Sequence, residues 1–562
     1  MHYLQLAAAP IAAAFLKLTS LEVSPVLKPN RTPGFDLQCN DVMSVAAAAG
    51  IKPRDLADLI VGEIKASPAF ADVSVGGPGF INLKLSHAFI QDHVAAMRAS
   101  GTLGIEKALG DELVVIDFGG PNVAKPLHVG HLRSFVIGES LRRILTAHGY
   151  KVISDIHWGD WGLQMGMLLH QISQQYPVEW QSGTVPSFEV HALEEMYRTA
   201  SKAAKEDESV LANARSLTQK LQSGDPYLLS VWKEMRDVSL AAISSDIEKL
   251  QAHFDLMLGE SDVNDDLPAM LAELEGLGLL RISDGALVVD VAEGQPPLIV
   301  QKSDGAALYG ATDLATINER TQKLAATKIL YVVDQRQEQH LQSVFSVARK
   351  AGFDRGAELV HVAFGTVNGK DGKPFKTRDG GVAKLTELLA STVEQAKARV
   401  SDGDEAISGK IAIGALKFAD LSTDRLSGYV FDPERMTAPE GKTGPYLQYA
   451  CTRIRGVVSK AKAISSADMD EPIVVEHEAE RQLLLTCLGY SMAVKAAVDR
   501  YQPKEIAEFA FSVSQAFSRF YTDCQVVQDG RVNSSRLAIC QFVETVLSEC
   551  LYLIGIEVPE RM

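Results

Sequence analysis

The sequence predicts a multidomain α/β protein: a parallel-sheet domain with a helical insertion, a small α+β unit before it and an all-α region after it. Three observations predict this. Two strand–helix–strand series occupy residues 113–156 and 329–364. A charged stretch poor in β-branched residues separates them at about 170–265. From about residue 440 apolar residues recur at helical spacing, with no strand series. A chain of 562 residues also exceeds one core, and roughly three or four domains of 100–200 residues are expected.

The amino-terminal unit opens with residues 1–16, which lack Lys, Arg, Asp and Glu. No basic residue precedes the apolar run and Pro10 interrupts it, so the segment reads as a helix with a packed apolar face rather than a signal peptide or a membrane span. Residues 56–66 have helical spacing, and residues 73–75 and 80–85 read as strands around the turn Gly76-Gly77-Pro78-Gly79. In the sheet domain, residues 113–116 form a short buried strand, a helix runs from about 129 to 149, and residues 151–156 make the next strand. That order gives a right-handed parallel unit. The second series repeats it, with strands at 329–333 and 359–364 around a helix at 340–350. Pro445, Pro472 and Pro503 lie near helix boundaries of the last region. The implied divisions are 1–108, 109–390 with its insertion, a connecting region 391–439, and 440–562.

Hydrophobic residues make up 46% and charged residues 22%, the proportions of an ordinary globular protein. The net charge of −16 argues against bulk electrostatic binding of nucleic acid, while leaving room for local basic faces. Six cysteines (Cys39, Cys451, Cys487, Cys524, Cys540, Cys550) show no CxxC and no zinc spacing, so reduced thiols, a cytoplasmic location and no metal site are expected.

The richest chemistry lies where the first strand ends. Ligands of open α/β sheets bind at the carboxyl ends of strands. There Asp117-Phe118-Gly119-Gly120-Pro121-Asn122 leads to a helix that starts near His128-Val129-Gly130-His131. Two imidazoles three apart share one face of the first turn, beside N–H groups without intrahelical partners, an arrangement that favours phosphate. Gly130 leaves room for a nucleotide and Lys125 adds a mobile positive charge. Read alone, HxGH fits equally a helix start that merely contains two histidines. No GxGxxG follows a strand and no GxxxxGK[ST] is present.

The longer segment, residues 121–134 (PNVAKPLHVGHLRS), resembles the "HIGH" region of arginyl-tRNA synthetases, class I enzymes with a Rossmann-like catalytic domain. Gly159-Asp160-Trp161-Gly162 and Gln164-Met165-Gly166-Met167-Leu168 resemble that family's next stretch. Gly119-Gly120 departs from it, because small polar residues or alanine are usual there, and a hydroxyl contact is lost.

Residues 369–381 form a Gly-rich loop that follows a strand, precedes a helix and includes Lys370, Lys373, Lys376 and Arg378. In isolation it reads as a solvated hairpin. In this position it resembles the "KMSK" loop of class I synthetases, whose cations close over the β- and γ-phosphates of ATP. The match is degenerate around Pro374-Phe375-Lys376-Thr377-Arg378, and the resemblance implies that Lys125 compensates for a missing lysine. It likewise implies catalytic roles for His128, His131, Lys125, Lys373, Lys376 and Arg378, and ATP contacts from Gly130 as well.

A planar guanidinium needs a carboxylate and aligned acceptors. By resemblance, Tyr309, Asp313 and Gln337 line the arginine pocket, Asn122 and His131 hold the substrate backbone, and Asp117 takes its α-amino group. Read without the family, Asp313 is a carboxylate in a helix's first turns and Tyr309 a core aromatic. Residues 444–455 resemble the start of the family's anticodon-binding domain, with Arg453 and Lys460 on one helical face and Arg455 and Lys462 on another. The amino-terminal unit resembles the additional domain that meets the tRNA corner.

The implied reaction joins L-arginine to tRNA(Arg) through an arginyl-adenylate, with Mg-ATP as co-substrate, no tightly bound metal or organic cofactor, no membrane, and a monomeric enzyme whose activation step often waits for tRNA. Rival readings are another class I synthetase, opposed by the extended signature and Asp313, and a tRNA-free nucleotidyltransferase, opposed by the basic loop and helical tail. A non-catalytic tRNA-binding paralogue is opposed by intact His128 and His131.

Overall fold

The structure is a computed structural model that describes residues 3–108, 110–303, 305, 307–375, 383–400, 403–464 and 471–562. The first helix, Tyr3–Thr19, runs through Pro10 and buries Ala7, Ile11, Ala14 and Phe15. Pro10 removes one backbone donor, yet the buried face carries the helix past it. Four antiparallel strands follow: β1 (Leu27–Pro29), β2 (Leu37–Cys39), β3 (Phe70–Gly76) and β4 (Phe80–Leu85), in the order β1-β2-β4-β3. The sequence announces β3 and β4 through their alternation. The three-residue β1 and β2 are too short to show any.

The sheet domain is built on β5 (Leu113–Phe118) and β6 (Lys151–Asp155), joined through the helix Val129–Ala147. Three short antiparallel strands, β7 (Leu280–Ser283), β8 (Ala286–Val289) and β9 (Leu298–Gln301), form a side sheet that periodicity did not announce. Next come the helix Tyr309–Gln322, β10 (Lys328–Val332), the helix Glu338–Ala351 and β11 (Glu358–His361). The central sheet has the order β11-β10-β5-β6 and is parallel throughout. Leu330↔Ile116 and Ile116↔Ser154 fix its register. From β5 the chain winds outward to β6, and the second series winds away on the other side through β10. The carboxyl ends of β5 and β10 therefore flank a switch in winding direction, where such sheets open a crevice.

Between the halves, the helices Pro177–Ser182, Val190–Glu206, Glu208–Gln222 and Pro226–Leu250 form the insertion. It has its own core, including Leu168, Leu169, Leu193, Met196, Leu217, Val231 and Met235. The helical part ends before residue 265, because the chain is back at the β6 edge by Leu256, paired with Asp155, and Gly259 pairs with Trp158. Beyond the second series, β12 (Val367–Asn368) pairs with β13 (Tyr429–Val430) across the connecting region. The last region packs the helices Gly444–Ile464, Glu478–Cys487, Tyr490–Arg500, Lys504–Asp523 and Ser534–Leu553, with one short hairpin at Val527–Gln528 and Arg531–Val532.

Several side-chain contacts tie the ends of the chain together, among them a hydrogen bond from Arg98 to the Glu471 carbonyl at 3.2 Å. Arg481 and Asp36, only 1% and 4% exposed at their side chains, form a fork at 2.8 and 2.5 Å. Arg481 also donates to the Leu85 carbonyl, and Gln91 donates to that of Ile473. All six cysteines are buried and unpaired as thiols.

Candidate active site

Helix Val129–Ala147 begins with two histidines that cap each other. His128 Nδ1 accepts from the Gly130 N–H at 3.0 Å, and His131 Nδ1 accepts from the His128 N–H at 2.9 Å. Because both Nδ1 atoms accept, the proton of each neutral ring sits on Nε2. Burial lowers the proton affinity of His128, and burial followed by His128 itself lowers that of His131 to a pKa of about 3. The pair thus works as neutral N–H donors rather than as cations. A Cβ on Gly130 would stand 2.9 Å from the His128 ring, so this glycine admits the folded imidazole before it admits any nucleotide.

The flanking signature residues are fasteners. Ser134 Oγ accepts from the Gly119 N–H at 2.7 Å and donates to the Val332 carbonyl at 2.6 Å, linking β5 to β10. Arg133, buried, reaches Asp420 at 3.2 Å and the Ser427 carbonyl at 2.8 Å in the connecting region. Gly119 has φ +95°, and a Cβ there would meet Phe135 at 2.9 Å, so the departure to glycine suits this backbone. The far end of the basic loop is stitched to the same segment: the Val129 N–H donates to Ala383 at 3.0 Å and that of Leu385 to Leu127 at 2.9 Å.

Gly159-Asp160-Trp161-Gly162 positions a residue that the sequence reading missed. Asp160 accepts from Ser261 N–H and Oγ at 3.0 and 2.8 Å, and Trp161 Nε1 donates to Asn264 at 2.8 Å. These bonds hold the turn that presents Glu260. Burial, then Asp313 and Asp160, push its carboxyl up to about 8, against the pull of His157. Glu260, Tyr309, Arg215 and Lys302 line a cavity of about 290 Å³.

Tyr309 is shared with a larger cavity of about 580 Å³ at the carboxyl ends of β5 and β10. This one brings together Asp117, Asn122, His128, Gly130, His131, Tyr309, Asp313 and Gln337, which are sequence-predicted residues. Asp313 holds His340 Nε2 at 2.5 Å, and that contact raises the proton affinity of His340. Asp117 is largely buried. Its carboxylate and that of Asp155 both receive Arg320 Nη2 at 2.7 Å. His157 sits beside them, in the left-handed region at φ +40°. Burial would lower its pKa, but Asp155 and Asp117 outweigh it and lift it to about 9. Two carboxylates and two cations therefore balance beneath the cavity. Glu260, His340 and Arg320 carried no sequence signal beyond their residue type, because their partners lie 27 to 203 positions away. His157 is two residues from Asp155, but nothing in the sequence shows that Asp117 and Arg320 fold against the pair.

Lys125 stands outside the cavity lining, with its ammonium 4.6 Å from the centre of the Tyr197 ring. Lys373 is on an exposed hairpin, where its carbonyl accepts from the Gly369 N–H, and Lys376 and Arg378 lie outside the described residues. In the last region Arg453 packs on Tyr449 and Tyr521, Arg455 pairs with Glu544 at 3.2 Å, and Lys460 is exposed. Among the described residues no cluster of His, Cys, Asp and Glu is arranged for a metal, and no helix is long and apolar enough to cross a membrane.

Comparison with known proteins agrees along the whole chain. Residues 5–85, 93–433 and 447–562 match the families described as arginyl tRNA synthetase N terminal domain, tRNA synthetases class I (R) catalytic domain, and DALR anticodon binding domain. The chain is 40% identical over 571 residues to an arginine–tRNA ligase of Francisella tularensis subsp. holarctica, covering 98% of each. It is 40% identical to that of Maricaulis maris over 94% of each. Arginyl-tRNA synthetase structures from Plasmodium falciparum and Thermus thermophilus share its fold, with TM-scores of 0.84 and 0.77 at 24% and 22% identity, each over 100% of both chains. With these three matched regions in order on one chain and a relative 40% identical over nearly its whole length, the protein belongs to the arginyl-tRNA synthetases, class I ligases that use ATP to charge tRNA with arginine.

Proposed function

We propose how this site divides the work of arginine–tRNA ligation. The guanidinium lies against Asp313, Glu260 and Tyr309, with Gln337 beside it. Asn122 and His131 hold the amino-acid backbone, and Asp117 draws the α-ammonium group. The substrate carboxylate then attacks the α-phosphorus of Mg-ATP, the bond to the pyrophosphate oxygen breaks, and arginyl-adenylate forms. His128 and His131 donate Nε2–H groups to phosphate oxygens, beside backbone N–H groups of the helix start. Lys125, Lys373, Lys376 and Arg378 neutralise the leaving pyrophosphate. The 2′-hydroxyl of the terminal ribose next attacks the adenylate carbonyl and releases AMP. Catalysis is positioning and charge stabilisation throughout.

The observation that carries this reading is the shared cavity, in which two neutral imidazole donors and Asp313 face one space joined by Tyr309 to Glu260. The 1–108 unit meets the tRNA corner, and the 440–562 region reads the anticodon with Arg453, Arg455 and Lys460. Six buried thiols support a reducing cytoplasm, and the chain works as a monomer. Aminoacylation with bulk tRNA and each amino acid in turn tests the whole: arginine alone is expected to be charged, and charging of another amino acid defeats the pocket assignment. ATP–pyrophosphate exchange is expected to need tRNA, and robust exchange without it removes that part.

A further inference from the structure

The insertion helix Val190–Glu206 reaches the edge of the site at two points. Tyr197 puts its ring face under Lys125 at 4.6 Å. Glu194, nearly one turn earlier, receives Lys384 Nζ at 2.8 Å, and the Lys384 backbone bridges His128 at the exit of the basic loop. Tyr197 also lies near enough to Tyr309 to influence its hydroxyl electrostatically. The Lys125 charge is felt at both His128 and His131, so the ammonium on the Tyr197 ring already stands by the proposed anion site. The backbone before it is held from the insertion as well: Ala124, at φ +59°, donates its N–H to Ser239 Oγ at 3.0 Å. Tyr197 itself is part-buried against the insertion core. A lysine stem is flexible and loses considerable rotamer entropy when fixed, so an aromatic face fixed in a core is a means of aiming it.

We propose that Tyr197 is a positioning residue for the activation step: its ring face holds the Lys125 ammonium beside His128 and His131, so the helical insertion sets part of the charge that meets the triphosphate. The inference rests on the assignment of Lys125 to ATP phosphates above. Steady-state ATP–pyrophosphate exchange in the presence of tRNA tests it, with Tyr197→Leu, Tyr197→Phe, Lys125→Met and the double variant Tyr197→Leu/Lys125→Met. Tyr197→Leu is expected to raise the KM for ATP by about three- to fivefold, the range of a modest cation–π contact, with the KM for arginine little changed. Tyr197→Phe keeps the ring and is expected to restore the ATP KM. In the Lys125→Met background, Tyr197→Leu should add nothing. An unchanged ATP KM in a folded Tyr197→Leu chain overturns the proposal, as does Tyr197→Phe being as impaired as Tyr197→Leu, or a full Tyr197→Leu effect without Lys125. If Lys125→Met itself leaves the ATP KM alone, the Lys125 assignment falls and this proposal with it. If only Tyr197→Leu is silent, this proposal falls alone. A thermal melt checks the fold, and Tyr197→Met replaces the leucine variant should that chain not fold.

Discussion

Asp313 has His340 as its partner before any arginine arrives, and Glu260 carries a proton at neutral pH. Both conditions oppose the guanidinium. The hydrogen bond to Asp313 raises the pKa of His340 above the ordinary 6.5, and burial raises that of Glu260 to about 8. Arginine needs His340 uncharged or displaced and Glu260 ionised, so binding releases protons and its affinity grows as pH rises through these pKa values. The KM for arginine is therefore expected to fall between about pH 6 and 8, by up to about tenfold per pH unit for each proton released. Calorimetry in two buffers of different ionisation heat should count those protons, and a flat profile with no release removes both groups from the pocket. His340→Asn should flatten the acid limb. Asp313→Ala should abolish exchange while the melting temperature stays near that of the parent, and near-normal exchange would take Asp313 out of the pocket. The asymmetry of what was legible is instructive here. His128, Asn122 and Asp313 sit in contiguous motifs, whereas Glu260 and His340 acquire meaning only when folding carries them to Tyr309 and Asp313. Arg133 and Ser134, which lend the signature its family resemblance, fasten elements to one another, a role that only the folded partners Asp420, Ser427 and Val332 reveal.

The elements that frame the site depend on one buried cation. Arg320, on the helix Tyr309–Gln322, serves Asp117 at the end of β5 and Asp155 at the end of β6, with side chains 3%, 8% and 1% exposed. Arg320→Met leaves two buried carboxylates facing each other, and the loss expected is about 3–5 kcal/mol, read by denaturant unfolding. A loss below 1 kcal/mol would mean that His157 alone balances the pair. On the neighbouring helix, Gly130→Ala should displace the His128 ring and reduce exchange by about tenfold or more without unfolding the sheet, and a crystal structure of that variant would report the ring position directly. The long elements were foreseeable from periodicity. The helix read at 129–149 is Val129–Ala147, and the strand read at 80–85 is Phe80–Leu85. Periodicity has nothing to grip in strands of two to four residues, so β1, β2 and the β7–β9 side sheet went unseen. The return of the chain to the sheet edge leaves no periodicity either, because Leu256 and Gly259 pair with Asp155 and Trp158 through isolated bridges rather than a regular strand.

Across the whole molecule, the amino-terminal unit and the helical region meet at Arg481 and Asp36. Arg481→Leu strands Asp36 in a dry contact and is expected to lower stability by about 3–5 kcal/mol. It should also let the first 100 or so residues exchange amide hydrogens independently of the rest. Uniform protection across both regions in that variant would show that the Gln91–Ile473 and Arg98–Glu471 bonds and the apolar packing suffice. The same fork has a consequence for the nucleic acid. On the proposed reading, in which the first unit meets the tRNA corner and the last region the anticodon, the buried ion pair that joins them fixes their mutual orientation before tRNA arrives. The RNA then supplies whatever bending the fit requires, so a tRNA stiffened at its corner is expected to be charged with a higher KM than the flexible one, and equal KM values would show that the protein yields instead.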